Sequence, residues 1–86
     1  MVGVEGGARE GAVIRVRGIV QAVGFRPFVY RLASEMGLDG VVRNVAGRVE
    51  IEVGGSASDL VRFVDRLRSE APPRARVEAV ESATLA

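Results

Sequence analysis

Residues that the chain lacks exclude several kinds of chemistry at once. The 86 residues include no cysteine and no histidine. Without thiols the chain forms no disulfide and no thiolate metal site. Without imidazole it lacks the commonest metal ligand, the usual general base and every catalytic triad that depends on histidine. Any catalysis must therefore rely on other polar groups.

Lysine is also missing, so all 12 basic residues are arginine, and 11 acidic residues are interleaved with them to leave a net charge of +1. Balanced, interleaved charge is not typical of a nucleic-acid-binding surface. No apolar run reaches membrane-spanning length, and the glycine-rich residues 1–11 lack the apolar core of a signal peptide. We expect a flexible tail over 1–11 and one cytoplasmic domain over 12–86, with neither nucleic acid nor membrane as a partner.

Hydrophobic periodicity predicts six secondary-structure elements. Residues 12–18 alternate between apolar and charged side chains, as in a half-buried strand, whereas Phe28 and Leu32 lie on one helical stripe. Pro27 suits the first turn of that helix and Gly37 suits its C-terminal end. The predicted strands are 12–18, a pair within 38–55 that turns at Ala46 and Gly47, and 74–82; the predicted helices are 27–37 and 56–73, the second capped by Ser58.

The order β-α-β-β-α-β predicts an α+β fold. Two β-α-β units around a hairpin are typical of a ferredoxin-like sandwich, with an antiparallel sheet of strand order 4-1-3-2 and both helices on one face. In the fourth strand, the alternation predicts that Val77 and Ala79 face the core.

Charged residues on the predicted open face of the sheet suggest a cross-strand ladder. Because strands 1 and 3 are neighbours in this order, we expect Arg15 and Arg17 to meet Glu50 and Glu52. These arginines are thus interpreted as structural. The arginines of the second helix, Arg62, Arg66 and Arg68, are interpreted as a solvated face.

The segment between the first strand and the first helix has the composition of an anion site. Its residues are Val20, Gln21, Ala22, Val23, Gly24 and Phe25. Successive backbone N–H groups of such a loop can point inward beside a helix N-terminus and bind an anion. Arg26 precedes Pro27, so we expect its backbone outside the helical region and its side chain at the mouth of the helix. A guanidinium can bind phosphate through two parallel hydrogen bonds.

Asn44 comes at the end of the second strand. Strands 1 and 2 are predicted to run in the same direction with strand 3 between them, so their C-terminal ends share one edge of the sheet, about 9–10 Å apart. Arg26 and Asn44 would then converge over a gap that fits a small ligand. The residues alone leave two alternatives open: a surface salt bridge for Arg26, and simple strand termination by Asn44.

The run GIVQAVGFR, with RNVAG downstream, resembles the signature of the acylphosphatase family. The continuation GFRPFVYRLASEMGLDG is most similar to the acylphosphatase-like N-terminal domain of the hydrogenase-maturation carbamoyltransferases (HypF). The resemblance covers about residues 12–81. One position departs from the signature, because Ala22 stands where the family has glycine. If that position needs a positive φ, alanine costs about 1 kcal/mol there and loosens the loop.

The resemblance implies a metal-independent enzyme that hydrolyses the carboxyl-phosphate bond of acyl phosphates. By position, Arg26 matches the family's phosphate-binding arginine, Asn44 matches the asparagine that orients the attacking water, and residues 20–25 match the phosphate cradle. In the larger maturation proteins the implied substrate is carbamoyl phosphate, and the implied partners are their downstream domains. No cofactor and no metal are implied. We expect the isolated domain to be a monomer.

A second function is compatible with the same residues. A ferredoxin-like domain with Ala22 in the loop could bind phosphate, or dock onto other domains, without catalysis. RNA binding by the sheet is disfavoured because the central strands carry charged side chains where exposed aromatic side chains would be needed.

Overall fold

The computed structural model describes residues 10–20 and 23–85. The elements are β1 (Glu10–Ile19), α1 (Phe25–Glu35), β2 (Asp39–Val45), β3 (Arg48–Gly55), α2 (Ala57–Ser69) and β4 (Arg76–Leu85). All neighbouring strands pair antiparallel in one sheet of order β2-β3-β1-β4. The predicted ferredoxin-like strand order is therefore confirmed. No helix within these two described ranges is long and apolar enough to cross a membrane.

Strand β1 begins earlier than the alternation predicts. Glu10 and Gly11, which the sequence analysis assigned to the tail, pair with Gly55 and Gly54 of β3. The boundary was misplaced because glycine and a single glutamate carry no alternating pattern. The rest of the predicted tail, residues 1–9, lies outside the described residues.

A single apolar layer lies between the sheet and both helices. Its fully buried side chains include Ile14, Val16, Val49 and Ile51 of the sheet. The buried residues of α1 are Phe25, Phe28, Val29 and Leu32, and those of α2 are Leu60, Phe63 and Leu67. Because all of these belong to one cluster, both helices pack on the same face, as predicted. Each such large side chain contributes about 1.5–3 kcal/mol on burial.

Helix α1 ends in a Schellman motif. Met36 is the C-cap and Gly37 follows it with φ +69°. The N–H of Gly37 donates to the carbonyl of Ser34 at 3.1 Å, and that of Leu38 donates to the carbonyl of Ala33 at 2.9 Å. The predicted role of Gly37 in ending this helix is confirmed.

The N-cap of helix α2 lies two residues before the predicted one. Ser56 is the N-cap, and its Oγ accepts a hydrogen bond from the backbone N–H of Asp59 at 3.2 Å. Ser58, the predicted cap, lies inside the first turn. The helix starts directly after Gly55, so the earlier serine is the one with extended backbone geometry.

Arg66 lies on the solvated side of α2, as predicted, and also joins the two helices. It donates to both carboxylate oxygens of Glu70, at 2.7 and 2.9 Å, and to Glu35 at the end of α1 at 3.0 Å. The hydrogen bonds to Glu70 and then to Glu35 raise the pKa of Arg66. The same bond from Arg66 holds the pKa of Glu70 below its usual value. Among the described residues, Arg62 pairs with Asp59 of its own helix alone.

The open face of the sheet carries part of the predicted ladder. Arg15 lies opposite Glu50 and donates to it at 3.1 Å, as predicted. The predicted contact between Arg17 and Glu52 is wrong. Glu52 of β3 lies opposite Val13, near the start of β1, and accepts a hydrogen bond from Arg43 of β2. Arg17 lies at the other end of β1, past its last pair with β3.

A β-bulge interrupts the pairing of β1 with β4. The register shifts by one residue after Arg17, which leaves Glu78 as the extra residue. Val77 and Val80 consequently pack against the core. Ala79, predicted to face inward, is exposed instead. Simple alternation failed here because the extra residue reverses the direction in which the following side chains point.

Gly18 fits into this bulge only because it has no side chain. Its φ is +133°, and a Cβ at this position would lie 2.0 Å from the carbonyl oxygen of Arg76 and 2.9 Å from the nitrogen of Glu78. Both contacts are with backbone atoms, which cannot rotate away. The end of β1 is therefore held against β4 by a direct backbone approach.

We expect Gly18→Ala to destabilise the domain by about 3 kcal/mol or more, because it adds a backbone collision to an unfavourable φ. Gly47→Ala is the matched control. Gly47 has φ +81° with no described atom near its Cβ position, so only the conformational cost of about 1 kcal/mol applies. Urea unfolding of both variants measures the difference. Equal losses of stability would contradict the close approach at Gly18.

Candidate anion site

The sheet register places Asn44 of β2 level with the end of β1, with β3 between them. Asn44 is paired with Val49 of β3, and Val49 is paired with Val16 of β1. These three side chains share the helix-covered face of the sheet, since directly opposite residues point the same way. Asn44 is thus two strand spacings, about 9–10 Å, from β1. It is exposed because β2 is an edge strand.

Arg26 lies in the first turn of α1, with an exposed side chain. The prediction that its backbone avoids the helical region was wrong, because the helix already begins at Phe25. Pro27 is accordingly the third helical residue, where its missing N–H is one that the first turn leaves unpaired. Within residues 10–20 and 23–85, Arg26 makes no side-chain hydrogen bond or ion pair.

The N-terminus of α1 has no side-chain cap. Its N-cap is Gly24, in the left-handed region with φ 80°, and its first turn contains no acidic residue. Among the described residues, no side chain caps the N–H groups of Phe25 and Arg26. The positive end of the helix dipole is also uncompensated, which favours an anion at this place.

Apolar side chains anchor both ends of the loop. Val20 and Phe25 are each 1% exposed, and Val23 packs against the core. The ring of Phe25 lies 5.7 Å from that of Phe28, tilted by 53°. Gln21 and Ala22, the middle of the predicted cradle, lie outside the described residues. The position of the loop ends is thus fixed by burial, while the convergence of its amides stays a prediction.

A cavity of about 320 Å³ lies elsewhere, between α2 and strands β1 and β4. Its lining residues are Glu10, Ala12, Ile14, Ala57, Leu60, Val61, Val64, Asp65, Ser82, Ala83 and Thr84. The charged members are two carboxylates, and no arginine is among them, so this cavity disfavours an anion. It also lies toward the start of β1, away from the loop.

No metal centre is formed by the part of the chain that the structure describes, in which no group of three or more carboxylates could hold an ion. The electrostatics of the loop end are instead those of an unpaired arginine and an uncapped helix. A small anion is the ligand that these groups fit.

The family model for acylphosphatase matches residues 12–86. The chain belongs to the acylphosphatase family. Among its relatives, the carbamoyltransferase HypF2 of Cupriavidus necator is 63% identical over 67 residues, which are 78% of this chain and 8% of that protein. An acylphosphatase of Mannheimia succiniciproducens is 52% identical over 67 residues, covering 77% of this chain and 73% of that protein.

Solved structures give the same two kinds of relative. Full-length HypF in a phosphate- and nucleotide-bound form matches with a TM-score of 0.86 and 31% identity, over 91% of this chain and 10% of that one. The acylphosphatase of Bacillus subtilis matches with a TM-score of 0.83 and 35% identity, over 88% of this chain and 84% of that one. The chain therefore spans less than a tenth of the first HypF relatives, at 8% and 9% of their length, but most of the acylphosphatases.

Proposed function

We propose that this domain hydrolyses the carboxyl-phosphate bond of acyl phosphates. Arg26 and the N–H groups at the start of α1 hold the phosphoryl group, and Asn44 orients the attacking water. The observation that carries the proposal is the position of Arg26, exposed and unpaired among the described residues, at an uncapped helix N-terminus. Membership of the acylphosphatase family supports it.

The proposed reaction needs no imidazole and no metal. A water oxygen attacks phosphorus, the bond from phosphorus to the carboxyl oxygen breaks, and the carboxylate leaves. A phosphate oxygen takes the proton of the water. Because a carboxylate is a good leaving group, positioning and charge stabilisation supply most of the catalysis.

Carbamoyl phosphate belongs to the same substrate class, since it is also a carboxyl-phosphate anhydride. The 63% identity to a HypF carbamoyltransferase supports this substrate and a place at the N-terminal end of a larger cytoplasmic hydrogenase-maturation protein. In that setting the domain would supply carbamate to downstream domains. A free-standing acylphosphatase is the other setting, supported by relatives of similar length.

Two substitutions test the site residues. We expect Arg26→Ala to lower the rate of acetyl phosphate hydrolysis by about 10³-fold or more, because the charge on the phosphoryl oxygens loses its guanidinium. Asn44→Ala should lower kcat by about 10²-fold, since water is no longer oriented. Phosphate release measures both rates, and circular dichroism checks that each variant is folded.

Arg62→Ala is the control, because Arg62 is an exposed arginine on α2 whose one described partner is Asp59. It should hydrolyse acetyl phosphate at the parental rate. An Arg26→Ala variant as active as the control would exclude the assignment of Arg26. Phosphate binding by the parent without turnover would instead favour the non-catalytic binding module.

The absence of histidine leads to a second prediction. We expect kcat to be constant from about pH 6 to about pH 8, because no histidine or cysteine titrates in that range. A stopped assay of acetyl phosphate hydrolysis in overlapping buffers measures this profile. A sigmoidal dependence on an enzyme group with a pKa near 7 would show that the substrate does not take the proton.

Ala22 leads to a third prediction, at the residue where the signature of the family has glycine. We expect Ala22→Gly to keep or increase the activity, because glycine adopts a positive φ without cost and lets the loop amides approach the phosphate. The inhibition constant of inorganic phosphate should fall while kcat rises. A loss of activity would mean that alanine is the better residue at this position.

A further inference from the structure

The open face of the sheet carries its charges in rows, one residue from each strand. Its middle row consists of Arg43, Glu50, Arg15 and Glu81, as the strand registers show. Signs alternate along this row, and Glu50 has Arg15 at 3.1 Å and Arg43 at 4.0 Å. The middle row is therefore neutral.

Toward the end of the sheet that carries the loop, the open face becomes positive. Arg17 of β1 and Arg48 of β3 each follow the last β1–β3 pair, Val16 with Val49, so both arginines lie at this end of the sheet. Arg76 follows on β4, opposite the exposed Ile19. The carboxylate nearest to them along the strands is Glu78, the exposed extra residue of the bulge.

Toward the other end of the sheet, the charged residues of the open face are acidic, and one of them, Glu52, is paired with Arg43. Glu52 lies on β3 in the row beyond the neutral one, and Asp39 begins β2 in the row after that. A domain with a net charge of only +1 thus has an uneven distribution of charge along its strands. The positive end is the end of the sheet where β1 leads into the loop; Asn44 lies at the same end, on the opposite, helix-covered face.

The arginines at this end have no compensating contacts. Within the described residues, Arg17, Arg48 and Arg76 form no ion pair. The Nε of Arg48 is covered and has no hydrogen-bond acceptor. Like charges gathered at one end of a surface repel each other, and a covered donor without an acceptor adds a further cost. Violations of this kind are expected where a surface serves function.

We propose that Arg17, Arg48 and Arg76 form an anion-guiding surface, which concentrates small phosphate-bearing substrates at the loop end of the sheet. This inference rests on the proposed function of the loop. The three arginines act through their field and do not touch the reacting atoms. They therefore lower KM for an anionic substrate and leave kcat unchanged.

Screening by salt limits the reach of such a field. The Debye length is about 10 Å at 0.1 M ionic strength. This is about the width of the surface that carries Arg48, Arg17 and Arg76, since β3, β1 and β4 span two strand spacings. It is about 30 Å at 0.01 M and about 3 Å at 1 M. The field of these arginines reaches a substrate at the loop in dilute buffer and is screened in concentrated salt, so its contribution has a defined salt dependence.

The double variant Arg17→Gln/Arg76→Gln tests the surface with two exposed residues, which protects the fold. We expect KM for acetyl phosphate to rise about threefold at about 0.01 M ionic strength, with kcat unchanged, and the difference to vanish at about 1 M. The matched control is Arg62→Gln/Arg68→Gln on α2, which removes the same charge from another surface. Because the Debye length at about 0.01 M is about 30 Å, its KM should rise as well, but by clearly less than that of the Arg17/Arg76 variant.

Two results would overturn the inference. One is an equal rise of KM in both double variants, which would reflect net charge alone. The other is a fall in kcat, or a difference that persists at about 1 M, which would indicate a contact or a structural change.

The dissociation constant of inorganic phosphate, measured by NMR titration, separates this inference from the proposed function. If the parent binds phosphate without turnover, the hydrolase proposal fails. Even then, the anion-guiding surface would be supported if the Arg17/Arg76 variant alone bound phosphate about threefold more weakly and this difference disappeared at high salt. A parent that binds no phosphate would overturn both.

Discussion

The close backbone approach of β1 to β4 at Gly18 is the constraint on which the site depends. It lies just before β1 leaves the sheet, so it sets the direction in which the loop departs. Strand β1 is also central, paired with β3 on its other side, and β3 in turn places Asn44 through the β2 pairing. The buried Val20 and Phe25 then return the loop to the core and start α1. Asn44 is thus positioned by strand pairing, and Arg26 by the helix that begins at the buried Phe25.

Much of this arrangement was predictable because it follows from local patterns. Each of these patterns reflects the geometry of one element: the alternation over 12–18, the helical stripe around Phe28 and Leu32, and the helix-ending Gly37. Together they predicted the strand order and the contact of Arg15 with Glu50. The bulge was not predictable, because an extra residue on one strand is a property of a pair of strands. Ala79 was therefore assigned to the wrong face.

For the candidate site, only the framework was predictable. The strand order brings the C-terminal ends of β1 and β2 to one edge of the sheet, as predicted, while the convergence of Arg26 and Asn44 over that edge stays a prediction. The start of α1 was predicted two residues too late, because proline prefers the first position of a helix and the prediction relied on Pro27. The helix instead begins at Phe25, after Gly24 in the left-handed region and without a side-chain cap. The unpaired arginines were missed for another reason. Which cation meets which carboxylate depends on register, and only the Arg15 pair was assigned correctly.

The bulge at Glu78 has a consequence for the behaviour of the folded chain in a crowded solution. Strand β4 lies at the border of the sheet and presents unpaired N–H and C=O groups along its outer side. An extra residue breaks the even spacing of those groups and increases the local twist. A strand from another molecule can consequently match only one side of the irregularity at a time. Intermolecular β-pairing along β4, the first step toward aggregation, is thereby limited by the same bulge into which Gly18 fits.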